Sequence, residues 1–472
     1  MKKTVYLVFI VTLFLIITSL IIPGFNFMGF EIKNLNLISD ILPAFGFNPA
    51  DSSIFENNDN SFLIMLSDSL DSENDSAFTT GDNHGFLEFY GQDSSLFLAN
   101  FFASLQRTER DGTKTRIAFL GDSMIEGDLV SQTLRYKLQQ KFGGKGVGYV
   151  PLTSNTAGFR RSIKHSFSGN WQTYSLITGN YFQRIGLSGY VFVPATVSKN
   201  TLADSVPTNM QSWVYYESPQ DSYDNLKEFY TVKLYYTRTD NFNYVNLKGT
   251  PGKYFNLGGE EIFNELVLND SDAVSRIKLY FNTASQTDLH GMSFESPSGI
   301  FVDNYSLRGN TGLPLVNLNK DFLKAQNKYF NYSLIILQYG LNVVEPESKD
   351  FTWYKDDMVK TVAFFKECFP MADIIIMSVS DKCYKKNGYF LTEPSIPVMV
   401  GLQQEAAKES GIIFWNLFES MGGINSMYKW VYANPPLANK DFTHFNAQGA
   451  EKVGTFFYKQ LMRHYIEYRN KK

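Results

Sequence analysis

The chain has 472 residues, more than an ordinary domain of about 100–200, so more than one structural unit is expected. Hydrophobic residues supply 44% and charged residues 19%, which excludes wholesale disorder, and a formal charge of -4 excludes a general nucleic-acid binder, which needs a basic face. With only 2 Cys, Cys368 and Cys383, neither a disulfide framework nor a Cys/His zinc cage can be drawn.

Lys2 and Lys3 precede an apolar run over residues 5–22, about long enough at roughly 1.5 Å per residue to cross a hydrocarbon core of about 30 Å. The run exceeds the usual apolar core of a signal peptide, about 7–15 residues, and no clean small-x-small site follows it. Residues 1–25 are predicted to be an uncleaved membrane anchor, with secretion after signal cleavage as the alternative. The paired lysines favour an N-in orientation and place the rest of the chain outside the cytoplasm, on the periplasmic or extracellular face. From Lys33 to Arg107 there is no Lys or Arg, while Asp51, Glu56, Asp59, Asp68 and Asp71 accumulate among Ser and Asn. Residues 26–100 are predicted to be a solvated acidic tether rather than an acidic binding tail.

Beyond the tether, Ile117, Ala118, Phe119 and Leu120 form an apolar run that ends in Gly121, Asp122 and Ser123. Leu129, Leu134, Leu138 and Phe142 then recur near helical spacing until Gly143 and Gly144. Ser123 is thereby predicted at a strand-to-helix junction, where a backbone N–H and a helix N-terminus can face a developing oxyanion. Taken alone, Gly-Asp-Ser reads by default as a helix N-cap, with Asp or Ser satisfying free N–H groups. The far end of the chain adds Asp441, Phe442, Thr443 and His444 ahead of an amphipathic helix. A carboxylate on Nδ1 fixes the imidazole tautomer and leaves Nε2 to take a serine proton. Among the other histidines, His84 lies in the tether, His165 and His290 in β-like sequence, and His464 in the last helix.

Two more predicted strands, residues 300–305 and 333–338, are followed by Gly309 and by Gly340 with Asn342. A glycine lets its N–H approach an oxyanion closely, and an Asn amide can donate a further hydrogen bond. Gly144, Gly146 and Gly148 form a rival glycine cluster. Strands over residues 373–379 and 412–416, with helices over 358–368 and 398–410, complete the pattern of a parallel sheet covered on both faces. Cys368 and Cys383 flank one of these strands, roughly 20 Å apart, beyond the disulfide limit of about 7 Å. Two free thiols are expected.

Gly-Asp-Ser at Ser123, Gly309, Gly340-x-Asn342 and Asp441-x-x-His444 together resemble the four blocks of the SGNH hydrolases, also called GDSL-like esterases. The Gly-x-Ser-x-Gly elbow of other α/β hydrolases is absent. The resemblance implies a doubly wound, flavodoxin-like parallel-sheet α/β core over residues 101–150 and 299–472. It implies Ser123, Asp441 and His444 as catalytic residues and the N–H groups of Ser123 and Gly309, with Asn342, as the oxyanion hole. No metal and no cofactor are implied.

Residues 151–298 lack helical periodicity. Tyr230, Val232, Leu234 and Tyr236 alternate with Thr231, Lys233 and Tyr235, predicting an inserted all-β module of sandwich or jelly-roll type. Trp171, Trp213 and Tyr215 are candidates to stack on sugar rings or to be core and cross-strand aromatics. The architecture is similar to bacterial peptidoglycan O-acetylesterases, some of which carry a carbohydrate-binding insertion. What that implies is a membrane-tethered, extracytoplasmic esterase removing O-acetyl groups from an acylated polysaccharide or peptidoglycan. Two alternatives stand beside it: a polysaccharide O-acetyltransferase using the same acyl-enzyme, and a tethered glycan-binding protein with a vestigial core.

Overall fold

The computed structural model describes residues 25–27, 30–32, 85–179, 182–196, 211–220, 223–239, 243–247, 253–346 and 350–471. The expected anchor over residues 5–22, His84 and most of the expected tether lie outside these residues. The chain divides into two units, residues 1–79 and 80–472. In the first, Phe25–Phe27 and Phe30–Ile32 pair antiparallel. No described helix is long and apolar enough to cross a membrane.

The second unit is built on a six-stranded mixed sheet. Its strands are β1 (Leu87–Phe89), β2 (Lys114–Gly121), β3 (Gly299–Ser306), β4 (Tyr332–Gln338), β5 (Asp373–Met377) and β6 (Ile413–Trp415), in the order β3-β2-β4-β5-β6-β1. All neighbours are parallel except β1, which runs antiparallel to β6 at the edge. Ile117 to Leu120 are fully buried, as a strand covered on both faces requires. The helices are α1 (Ala99–Asp111), α2 (Ser131–Phe142), α3 (Lys320–Phe330), α4 (Thr352–Cys368), α5 (Ser395–Ser410), α6 (Leu417–Met421), α7 (Ser426–Val431) and α8 (Ala447–Asn470). Helices α1, α2 and α8 pack together in one group, and α3, α4 and α5 in another. Both α4 and α5 begin earlier than their periodicity predicted. Asp350 accepts the Thr352 N–H at 3.0 Å to start α4, and Pro397 sits in the first turn of α5, where its missing N–H has no helical partner to lose. Cys368 and Cys383 are free and buried.

Three further features differ from the sequence reading. Leu87–Phe89, counted with the tether, is a strand of the sheet, because Leu87 is buried and its pairing with Trp415 covers the edge of β6. Gly148–Val150, counted with the α/β part, pairs instead with the strand Leu289–Glu295. The glycines at 143, 144, 146 and 148 all have positive φ and turn the chain out of α2 into that second sheet. Third, no α-helix follows Ser123 directly. A 3-10 segment, Ser123–Asp128, with non-helical Glu126 and Gly127, intervenes before α2.

Between α2 and β3 the chain forms two antiparallel sheets, one centred on Thr231–Tyr236 and Leu289–Glu295, the other on Ser212–Glu217 and Arg276–Asn282. Val232, Leu234, Met292 and Phe294 of the first share one apolar core with Val214, Tyr216, Leu279 and Phe281 of the second. A buried ionic cluster joins this region to the α/β sheet. Arg116 of β2 pairs with Glu295 and, at 2.7 Å, with Asp303 of β3. Lys114 reaches Glu295 at 2.6 Å, and Asp303 also accepts the Tyr332 hydroxyl at 2.7 Å.

Candidate functional site

Strand β2 ends at Gly121, where a side chain would meet Ile125 at 2.8 Å and the Gln338 carbonyl at 3.1 Å. Asp122 follows as an N-cap, accepting the Met124 N–H at 3.0 Å. That cap turns the chain so that Ser123 opens the 3-10 segment at the carboxyl end of the sheet, the position where open α/β sheets gather their ligands.

At the other end of the chain, Asp441 and His444 form one turn ahead of α8, whose N-cap Asn446 accepts the Gly449 N–H at 3.0 Å. Asp441 Oδ1 accepts the backbone N–H of Thr443 and of His444, each at 3.0 Å. Asp441 Oδ2 lies 2.8 Å from His444 Nδ1, and His444 Nε2 lies 2.9 Å from Ser123 Oγ. With the Nδ1 proton directed at Asp441, Nε2 is free to accept the hydroxyl proton. Burial raises the Asp441 carboxyl, but the hydrogen bonds from the His444 ring and from the backbone outweigh it and hold the group below the usual carboxylate range. An anionic Asp441 is what an imidazolium on His444 needs.

The loops after β3 and β4 close around the nucleophile segment. Leu307 N–H bonds the Gly121 carbonyl at 3.0 Å, and two residues further on Gly309 holds φ at +78°, a conformation that favours glycine. Arg308 pairs with Glu126, three residues past Ser123. Asn342 Nδ2 donates to Asp122 Oδ2 at 2.9 Å and to the Asn310 carbonyl at 3.1 Å. Both amide hydrogens are therefore engaged within the loops, so donation to an oxyanion requires Asn342 to share one. Asp122, expected from the sequence only as an N-cap candidate, is also the hub of this contact. Burial pushes its carboxyl up to about 6, against the opposing pull of the Met124 N–H and of His444.

Among the remaining candidates, Trp171 packs edge-on against Phe281 and bonds the Trp213 carbonyl at 3.3 Å. Lys278 Nζ stands 4.0 Å over the Trp213 ring, and the Tyr215 hydroxyl donates to Glu217 at 2.6 Å. These side chains are half-buried on the antiparallel sheets. No hydrogen bond or ring contact ties them to Ser123 or His444 among the described residues. His165 stacks on Tyr216, His290 lies buried against Phe263 and Phe322, and His464 faces Glu467. Among the described residues, no three His, Cys, Asp or Glu side chains are grouped to hold a metal ion.

No protein-family model and no curated protein sequence matches the chain. Among solved structures, one described as a peptidoglycan O-acetylesterase in action superposes with a TM-score of 0.64 and 21% identity, over 81% of this chain and 100% of that one. The chain has the SGNH-hydrolase fold. A family two carbohydrate esterase from Cellvibrio japonicus also matches, at TM-score 0.24 and 7% identity over 65% of this chain and 98% of that one. An acetyl xylan esterase matches at TM-score 0.25 and 12% identity, over 34% and 80%. In the SGNH frame, the four blocks quoted from the sequence all fall at the carboxyl end of the parallel strands or in the turn before the last helix.

The segment after Ser123 carries strain that the periodicity did not reveal. Asp128 and Val130 have φ of 70° and 64°, the latter a conformation rare for a β-branched residue. Buried Asp128 is held there by Arg135, by the Ser131 hydroxyl at 2.6 Å and by Arg160 at 3.7 Å. Asn304 of β3 adds a hydrogen bond to the Ile125 carbonyl at 2.8 Å. These contacts over-determine a backbone that would otherwise relax.

Proposed function

We propose that the protein is a serine esterase that removes O-acetyl groups from a cell-envelope or other polysaccharide, acting outside the cytoplasm and tethered through residues 5–22. The observation that carries the reading is the continuous chain from Ser123 Oγ through His444 to Asp441, at 2.9 and 2.8 Å. Ser123 Oγ attacks the ester carbonyl carbon while its proton passes to His444 Nε2. The oxyanion receives hydrogen bonds from the N–H groups of Ser123 and Gly309 and from the shared Asn342 amide. As the carbon–oxygen bond to the sugar breaks, the sugar oxygen takes the proton from Nε2 and leaves an acetyl-Ser123. Water, deprotonated by His444, then releases acetate and restores the serine.

The substrate class is supported by the fold shared with a structure described as a peptidoglycan O-acetylesterase, and the proposed tether by the apolar run over residues 5–22. The test is acetate release from acetylated peptidoglycan, acetylated xylan and small acetyl esters, for wild type and Ser123→Ala. Wild-type release that Ser123→Ala abolishes is expected. Equal release by the two proteins would remove Ser123 as nucleophile, and acetylation of an added sugar acceptor with little acetate released in its absence would favour transfer over hydrolysis.

A further inference from the structure

The Asp441-to-His444 turn is backed by an aromatic cluster that the acyl-transfer chemistry does not use. Phe442, between the two residues, is buried and holds φ at 57°. Its ring stacks on Phe390 with centroids 3.7 Å apart and planes 8° apart, and its carbonyl accepts the Cys383 N–H at 2.9 Å. Tyr428 in α7 and Tyr432 just beyond it bring their rings to 6.4 and 6.0 Å from Phe442 and 4.8 Å from each other. Phe442 is enclosed, but Tyr428 and Tyr432 are 42% and 63% exposed.

Lysines accompany these rings, one in space and two in sequence. Lys385 Nζ lies 5.8 Å over the Phe390 ring. Exposed Lys429 falls between the two tyrosines in sequence, and exposed Lys440 precedes Asp441. None of these three lysines forms an ion pair among the described residues, and the Asp441 carboxylate is already engaged by His444.

We infer that Tyr428 and Tyr432, with Lys385, Lys429 and Lys440, form a subsite that holds a sugar ring of an anionic polysaccharide beside the ester being cleaved. The inference rests on the esterase reading above and names the substrate class that this face selects. A pyranose offers an apolar C–H face that lies on a tyrosine ring, while its hydroxyls reach the phenol oxygen. Exposed ammonium groups on the segments that carry the rings attract carboxylates or phosphates repeated along a polymer. An anionic membrane surface shares part of that chemistry. Contiguity with the Asp441-to-His444 turn favours the polymer, because a sugar bound there brings its own ester to the nucleophile.

The experiment compares kcat/KM of the full chain on O-acetylated pectin and O-acetylated peptidoglycan with kcat/KM on 4-nitrophenyl acetate. In Tyr432→Ala and Lys429→Glu the polymer-to-small-ester ratio is expected to fall at least ten-fold, chiefly through KM. Tyr432→Phe, which keeps the ring, restores most of the ratio, and the Lys429→Glu effect shrinks in high salt as screening grows. A ratio that moves in neither variant, with wild type active on the polymers, overturns the subsite alone. Wild type inactive on every acetylated polymer overturns the polysaccharide reading and the subsite with it. Weaker binding of Tyr432→Ala to phosphatidylglycerol vesicles, with an unmoved polymer ratio, overturns the subsite by assigning the face to a membrane.

Discussion

Asp441 holds His444 from two sides: Oδ2 lies 2.8 Å from Nδ1 of the ring, and Oδ1 accepts the backbone N–H of the same residue at 3.0 Å. The two contacts do different work, and Asp441→Asn separates them. An Asn oxygen can still accept the backbone N–H, so the turn persists, but its amide presents a hydrogen to Nδ1 and favours the tautomer whose Nε2 cannot take the serine proton. The expected result is a fall in kcat on a small acetyl ester of about 10⁴-fold with little change in melting temperature. A loss below ten-fold, measured by steady-state kinetics, would remove the orienting role.

Asp122 makes a pH prediction of the opposite sign to most carboxylates. Burial raises it from 3.8 to about 6 in the folded state, so the folded protein holds this proton more tightly than the unfolded chain. The stabilisation is complete below about pH 4 and is lost as pH rises through about 6, on the order of 3 kcal/mol for this group. Asp122→Asn keeps an acceptor for the Met124 N–H but does not titrate, so its melting temperature should decline less between pH 4 and 7 than that of wild type. It also places two amide N–H groups against each other at Asn342, and kcat should drop. Parallel melting profiles for the two proteins would refute the assignment.

What could be read from the sequence was local. A parallel strand covered on both faces shows as an apolar run, so residues 117–120 pointed directly at Ser123, and Asp441 and His444 meet within one turn. Asp122 and Asn342 meet across 220 residues, which no local pattern encodes. Leu87–Phe89 is a three-residue edge strand containing Glu88, and its acid-rich surroundings resemble the tether it borders. Leu134, Leu138 and Phe142 do occupy one buried helical face. Their spacing extends back to Leu129 and so predicted a helix where the buried ion pair at Asp128 instead bends the chain.

That buried pair gives a stability prediction. Asp128 and Arg135 are almost wholly enclosed, so removing Asp128 leaves Arg135 and Arg160 without their carboxylate, and removing Arg135 leaves Asp128 only the longer Arg160 contact in a low-dielectric site. Asp128→Asn tolerates the left-handed backbone and isolates the loss of charge. It should cost about 3–5 kcal/mol, as should Arg135→Met, while the double variant should cost less than the sum of the two. Urea unfolding measures all three. Single-variant losses under about 1 kcal/mol would mean that the pair does not hold the nucleophile segment.

The cluster around Glu295 predicts how the two sheet systems respond to acid. Burial raises the Glu295 carboxyl, but Arg116, Lys114 and Lys233 more than reverse this and hold it well below the ordinary value of 4.5. The folded state therefore binds this proton more weakly than the unfolded chain. Its stabilisation is present above about pH 4.5 and is lost as pH falls below that, the reverse of the Asp122 case. Because Glu295 belongs to an antiparallel sheet and Arg116 to β2, protonation loosens the junction between them, and both should unfold in one transition. Circular dichroism and tryptophan fluorescence, followed from pH 7 to pH 3, should then give coincident midpoints. Glu295→Gln should be less stable at pH 7, since Arg116 loses one of its two buried carboxylates, and should show a shallower acid limb. Separate midpoints in wild type, or an acid limb unchanged by Glu295→Gln, would exclude the cluster as the coupling element.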